Sequence, residues 1–102
     1  MFYAKFRDIN GEEVAKLYDQ GEDYARDMFS PLVEPLTVID FAVKGKNYRE
    51  RQSSVETIAM DFQAADIGGL FMSDYARIGE WFTTQGKRYG LLKEFQENGI
   101  VA

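Results

Sequence analysis

Residues 2–8 read Phe-Tyr-Ala-Lys-Phe-Arg-Asp, and residues 36–44 read Leu-Thr-Val-Ile-Asp-Phe-Ala-Val-Lys. In the first stretch Phe2, Ala4 and Phe6 alternate with Tyr3, Lys5 and Arg7, the period of a half-buried strand. The turn signal Asn10-Gly11 then closes it. The second stretch is rich in β-branched and aromatic residues, with Ile39, Phe41 and Val43 sharing a face, and predicts a well-buried strand. The spacing elsewhere turns helical. Strands and helices that do not alternate regularly predict an α+β fold. The expectation is a small two- or three-stranded sheet packed against three or four helices, in a single domain over residues 1–102. So small a sheet is marginal alone, so helix packing or a second copy of the chain must complete it.

Over residues 12–29, Val14, Leu17, Tyr18, Tyr24, Ala25 and Met28 recur at steps of three and four, which predicts a first helix. Gly21 interrupts it, and Ser30-Pro31 and Glu34-Pro35 stop it. Residues 46–52 admit either a short third strand after Gly45 or the start of a helix, since Asn47 with Glu50 forms a capping-box pattern. Residues 50–66 carry the stripe Val55, Ile58, Ala59, Phe62 and Ala65, ended by Gly68-Gly69. Ser73 is placed to cap a helix over 74–85, broken at Gln85-Gly86, and a last helix is expected from Tyr89 to Asn98 with Gly99 at its end.

The residues the chain lacks narrow the chemistry. Without cysteine there is no disulfide, thiolate or Cys-ligated zinc. Their absence in so short a chain favours the cytoplasm. Without histidine the commonest general base and metal ligand is missing. No serine sits in a nucleophile elbow, and Gly68-Gly69 lacks the Gly-Lys-Ser/Thr of a phosphate loop. Met1–Phe6 is not a signal peptide, and no apolar run is long enough to span a membrane. No enzyme activity, cofactor or metal is expected.

The formal net charge is −5, unevenly spread. Residues 1–34 hold eight acids against four bases, whereas 73–102 balance at four against four. On the predicted first helix Asp19, Asp23 and Asp27 fall four apart, with Glu22 adjacent. Such a ridge spaces its carboxylates about 6 Å apart and can imitate a nucleic-acid strand before a basic partner. Trp81 and Tyr89 stand in an aromatic-rich stretch and are candidate contact residues on the same partner. A second candidate surface is basic: Lys44, Lys46, Arg49 and Arg51 around Tyr48, together with Lys87 and Arg88. Bases interleaved with an aromatic can hold single-stranded nucleic acid.

The segment Lys87–Val101, with its Leu-Leu-x-x-Phe-x-x-x-Gly-Ile-Val pattern, resembles the recognition helix of winged-helix regulators. In that fold a strand and a basic wing follow the closing Gly-Ile-Val. The sequence here runs only to Ala102, so no DNA contacts carry over. The leading expectation is a small acidic protein-binding module. Phage and mobile-element inhibitors of the anti-CRISPR or anti-restriction type, which occlude a basic nucleic-acid-binding surface of a host protein, have this size and charge. The alternative is a nucleic-acid-binding or transcription-regulatory accessory protein using residues 44–51 and 87–93.

Overall fold

A computed structural model describes residues 1–29, 33–65 and 67–102. Its elements are a three-stranded antiparallel sheet and four helices, an α+β arrangement. The chain divides into two compact units, one of Met1–Ala42 with Ile67–Leu70, the other of Val43–Asp66 with Phe71–Ala102.

The first unit is built on β1 (Phe2–Arg7), the central strand of the order β2-β1-β3. Asn10-Gly11 turns the chain into β2 (Glu13–Tyr18), which pairs residue for residue with β1 from Phe2↔Tyr18 to Arg7↔Glu13. The Asp8 carboxylate fixes the turn by accepting from the N–H groups of Asn10 and Glu12, each at 2.9 Å. The helix expected over 12–29 is therefore corrected to a strand, a turn and a shorter helix, α1 (Gly21–Met28). Val14, Lys16 and Tyr18 also satisfy period two, and the hairpin lets them share the face of Phe2, Ala4 and Phe6. Gly21 opens α1, against the ring of Phe2, and does not interrupt a longer helix. The Ser30-Pro31 stop lies outside the described residues.

The strand β3 (Glu34–Asp40) pairs antiparallel with the other edge of β1, with a bulge at Lys5/Phe6 that sets Phe6 opposite Pro35. Proline lacks a ladder donor, so an edge and a bulge are where a sheet tolerates it. Phe41 follows β3, and its N–H still donates to the Met1 carbonyl. One face of the sheet buries Ala4, Phe6 and Tyr18 beneath Tyr24 and Met28 of α1, with Phe2, Val14 and Val33 around them. Tyr24 stacks on Phe2 at 4.6 Å and meets Tyr18 edge-on at 5.9 Å. On the opposite face the cross-strand partners Tyr3 and Ile39 are buried.

The second unit is helical. The segment 46–52 enters α2 (Tyr48–Ala64) directly: Asn47 Oδ1 accepts from the Glu50 N–H at 2.9 Å, and Glu50 returns a carboxylate oxygen to the Lys46 N–H at 2.6 Å. The helix α3 (Met72–Tyr89) starts earlier than expected, with Phe71 rather than Ser73 at its N-cap, and runs through Gln85-Gly86. Gly86 does not break the helix because its missing side chain is used for packing. A Cβ there would lie 3.1 Å from the Phe95 ring and 3.2 Å from Leu92 Cα, so glycine allows α4 (Leu92–Glu97) to approach closely. Gly90, at φ 69°, ends α3 in the left-handed region. The last helix is thus α4 alone, and Lys87–Val101 is two helices joined at Gly90, which removes the continuous recognition helix. Phe82 is fully buried at the centre, with the rings of Phe62 and Trp81 at 5.0 Å and Phe95 at 5.7 Å. Among the described residues no helix is long and apolar enough to cross a membrane.

Candidate functional site

The charge of the chain resides in the β-rich unit. Its residues carry nine acids against four bases, while the helical unit carries eight of each. All four bases are already committed. Lys5 pairs with Glu13 at 3.4 Å, Arg7 with Glu34 at 3.1 Å, Lys16 with Asp27 at 3.3 Å and Arg26 with Asp23 at 2.8 Å. Five acidic side chains therefore remain in excess of the lysines and arginines of this unit. Glu12, Glu13, Asp19, Glu22, Asp27, Glu34 and Asp40 are all exposed. Beside them stand exposed apolar residues: Ile9 at the hairpin tip between Asp8 and Glu12, Phe29 at the end of α1, and Leu36 and Val38 on β3. This mixture of net negative charge and open apolar surface is the candidate site.

The sequence-predicted ridge is only partly realised. Asp19 lies in the turn before α1, so Asp23 and Asp27 alone share the helix at a spacing of four. Asp27 is a structural group. It accepts from the Tyr18 hydroxyl at 2.9 Å and from Lys16, tying α1 to β2. The Tyr18 hydrogen bond holds the Asp27 carboxyl below its usual range, with Lys16 adding to the effect. Burial, then the same hydrogen bond and the Asp27 charge, push the Tyr18 hydroxyl well up. Lys16 also lies over the Tyr18 ring, 5.4 Å from its centre. Asp23 is half-buried and bound to Arg26, whereas Glu22 is exposed in the first turn of α1.

Of the two aromatic candidates, Trp81 is half-buried and packs edge-on against Phe82. Tyr89 is buried at 4% exposure, so its side chain is corrected from a contact residue to a core residue. Its hydroxyl accepts from Arg51 Nε at 2.8 Å, which also turns Arg51 from a surface cation into an internal strut. Lys44, Lys46, Arg49, Lys87 and Arg88 are exposed.

Sequence reasoning missed Glu12, Glu34 and Asp40, and the exposed Ile9 and Phe29. The signal for Ile9 and Glu12 was present in Asn10-Gly11, which places both at a hairpin tip. A cavity of about 170 Å³ opens between Lys5, Glu13, Val14, Ala15, Gly68 and Gly69. Its two charged residues pair with each other, so neither is left to orient a ligand. No group of three or more carboxylates able to hold a metal occurs among the described residues. No protein-family model, curated protein or solved structure matches the chain.

Proposed function

We propose that the chain is a protein-binding module whose acidic β-rich unit occupies a basic surface of a partner. It would act in the manner of phage or mobile-element inhibitors of the anti-CRISPR or anti-restriction type, which cover a nucleic-acid-binding surface of a host protein. The observation that carries this reading is the exhausted supply of basic side chains: every lysine and arginine of the unit is ion-paired, and five acidic side chains remain in excess of them. Such a surface pays no desolvation cost while free in water, and gains its counter-charges from the partner. Ile9 and Phe29, 67% and 83% exposed, supply apolar anchors among the carboxylates. The reading assigns no chemistry to the chain and places its partner in the cytoplasm.

The test begins with capture of the partner from the native cell on the immobilised chain. The purified partner is then loaded with its nucleic acid, and the chain is added. Displacement of the nucleic acid in proportion to added protein supports occlusion. A ternary complex that retains the nucleic acid refutes it.

A further inference from the structure

At one end of the helical unit the start of α2 and the end of α3 are held together. Arg51 Nε donates to the Tyr89 hydroxyl at 2.8 Å, and Gln52 Nε2 donates to the Tyr89 carbonyl, also at 2.8 Å. The rings of Tyr48 and Tyr89 stand 5.5 Å apart at a tilt of 49°. This clasp joins two basic segments that lie far apart in sequence. Arg49 follows Tyr48, and Lys87 and Arg88 immediately precede Tyr89. Lys44 and Lys46 occupy the approach to α2, where the Lys44 N–H donates to Ser54 Oγ at 3.0 Å and the Lys46 N–H to Glu50 at 2.6 Å. These two bonds fix the backbone and leave both ammonium groups outside.

The five cations Lys44, Lys46, Arg49, Lys87 and Arg88 are exposed, and none forms an ion pair among the described residues. The acid within this stretch, Glu50, is engaged by the Lys46 N–H. The β-rich unit, by contrast, leaves no base unpaired. Tyr48 sits among the cations, backed by Tyr89 and 57% exposed.

We propose that this end of the helical unit binds single-stranded nucleic acid, with the five cations on phosphates and an unpaired base stacked on Tyr48. The cations are spread over a loop and two helix ends, so a polyanion can engage all of them where a lone phosphate cannot. An exposed ring rewards a base that is free to stack, which a duplex does not offer. The site lies on different residues from the acidic surface and stands whether or not the acidic surface binds a protein.

The probe is a fluorescein-labelled oligothymidine of about fifteen residues, followed by anisotropy on the full chain. Single-strand binding loses roughly 0.7 in the slope of log K against log salt for each phosphate neutralised. Five contacts therefore give a slope of about −3.5, and Lys87→Gln with Arg88→Gln should reduce it to about −2. Tyr48→Ala should weaken binding about 10-fold or more with the slope unchanged, and Tyr48→Phe should bind as wild type. Lys87 and Arg88 are exposed, so their variant keeps the test valid should Tyr48→Ala unfold. No binding at low salt overturns the proposal. So does competition by polyglutamate as effective as by unlabelled oligothymidine, which would make the site a dock for an acidic protein. A slope unmoved by the Lys87/Arg88 variant would place the contacts elsewhere and overturn it equally.

Discussion

Tyr18→Phe removes one oxygen and nothing else from the joint between α1 and β2. The ring stays in place beside Tyr24 and beneath Lys16, so apolar burial is unchanged. The loss is the 2.9 Å bond to Asp27. A hydrogen bond to a charged group contributes about 1.5–3 kcal/mol when both partners are shielded. The Asp27 side chain is 46% exposed and recovers water when the hydroxyl goes, so about 1 kcal/mol is expected. That corresponds to a fall in Tm of roughly 4–8 °C for a domain of this size. The effect carries a pH signature with two sides. The folded carboxyl of Asp27 titrates below its ordinary 3.8, so the contribution is present above that value and is lost as pH falls through the lowered one. The folded hydroxyl of Tyr18 titrates above its ordinary 10.0, so the contribution is full below that value and is lost as pH rises through the raised one. Urea denaturation followed by circular dichroism should show wild type and variant farthest apart between these limits and converging in acid. A constant difference across the acid range would refute the assignment of Asp27 as the acceptor, and no difference at neutrality would refute the bond.

Three further outcomes test other joints. Phe82→Ala should cost about 3–5 kcal/mol in denaturant unfolding, because it empties the centre of the helical core; a loss under about 1 kcal/mol would mean that Phe62 and Phe95 do not enclose it. Gly45→Ala should be strongly destabilising in the same assay, since a Cβ there would lie 2.8 Å from the Arg51 nitrogen and 2.9 Å from the Glu50 carbonyl carbon, at a φ of 141°. Unchanged stability would show that the loop does not run against α2. The Phe41 N–H bond to Met1 sets the alternation of β3, turning the Thr37 and Ile39 N–H groups toward β1 and that of Val38 outward. Val38→Pro should therefore keep the native circular dichroism spectrum and melt far above Thr37→Pro; the reverse order would shift the register by one residue.

The class of fold was legible because its signals were local. Phe2, Ala4 and Phe6 carried period two, and Val55, Ile58 and Ala59 carried the helical stripe, each without help from distant residues. Residues 13–18 satisfied both periods at once: Val14, Leu17 and Tyr18 fit a helix, while Val14, Lys16 and Tyr18 fit a strand. Pairing with β1 decided between them, and that interaction is not visible within the window. Gly86 misled for a related reason. Read locally it is a breaker, but in the fold it makes room for Leu92 and Phe95. The candidate sites followed the same rule. The acidic excess could be counted from the sequence, but the identity of its spare carboxylates depended on which cations the folded chain had already paired. Asp23 and Asp27 left the set for that reason, Glu22 stayed in it, and Glu12 joined it. The basic segments 44–51 and 87–88 could be seen separately, but the clasp of Arg51 and Tyr48 on Tyr89 that joins them is a tertiary contact.

The central claim is that the net negative charge of the β-rich unit drives association with a basic partner. Its most direct test is the association rate of the captured partner with wild type and with the double variant Glu12→Lys and Glu22→Lys, measured across salt. Both residues are exposed, and their reversal removes four of the five excess negative charges while leaving the Tyr18–Asp27 and Arg26–Asp23 joints intact. At low salt the variant should associate roughly 10-fold more slowly or worse, because steering acts through the summed field. The two rates should converge as the screening length shrinks from about 30 Å at 0.01 M to about 3 Å at 1 M salt. Equal rates at low salt, with native circular dichroism in the variant, would contradict the account.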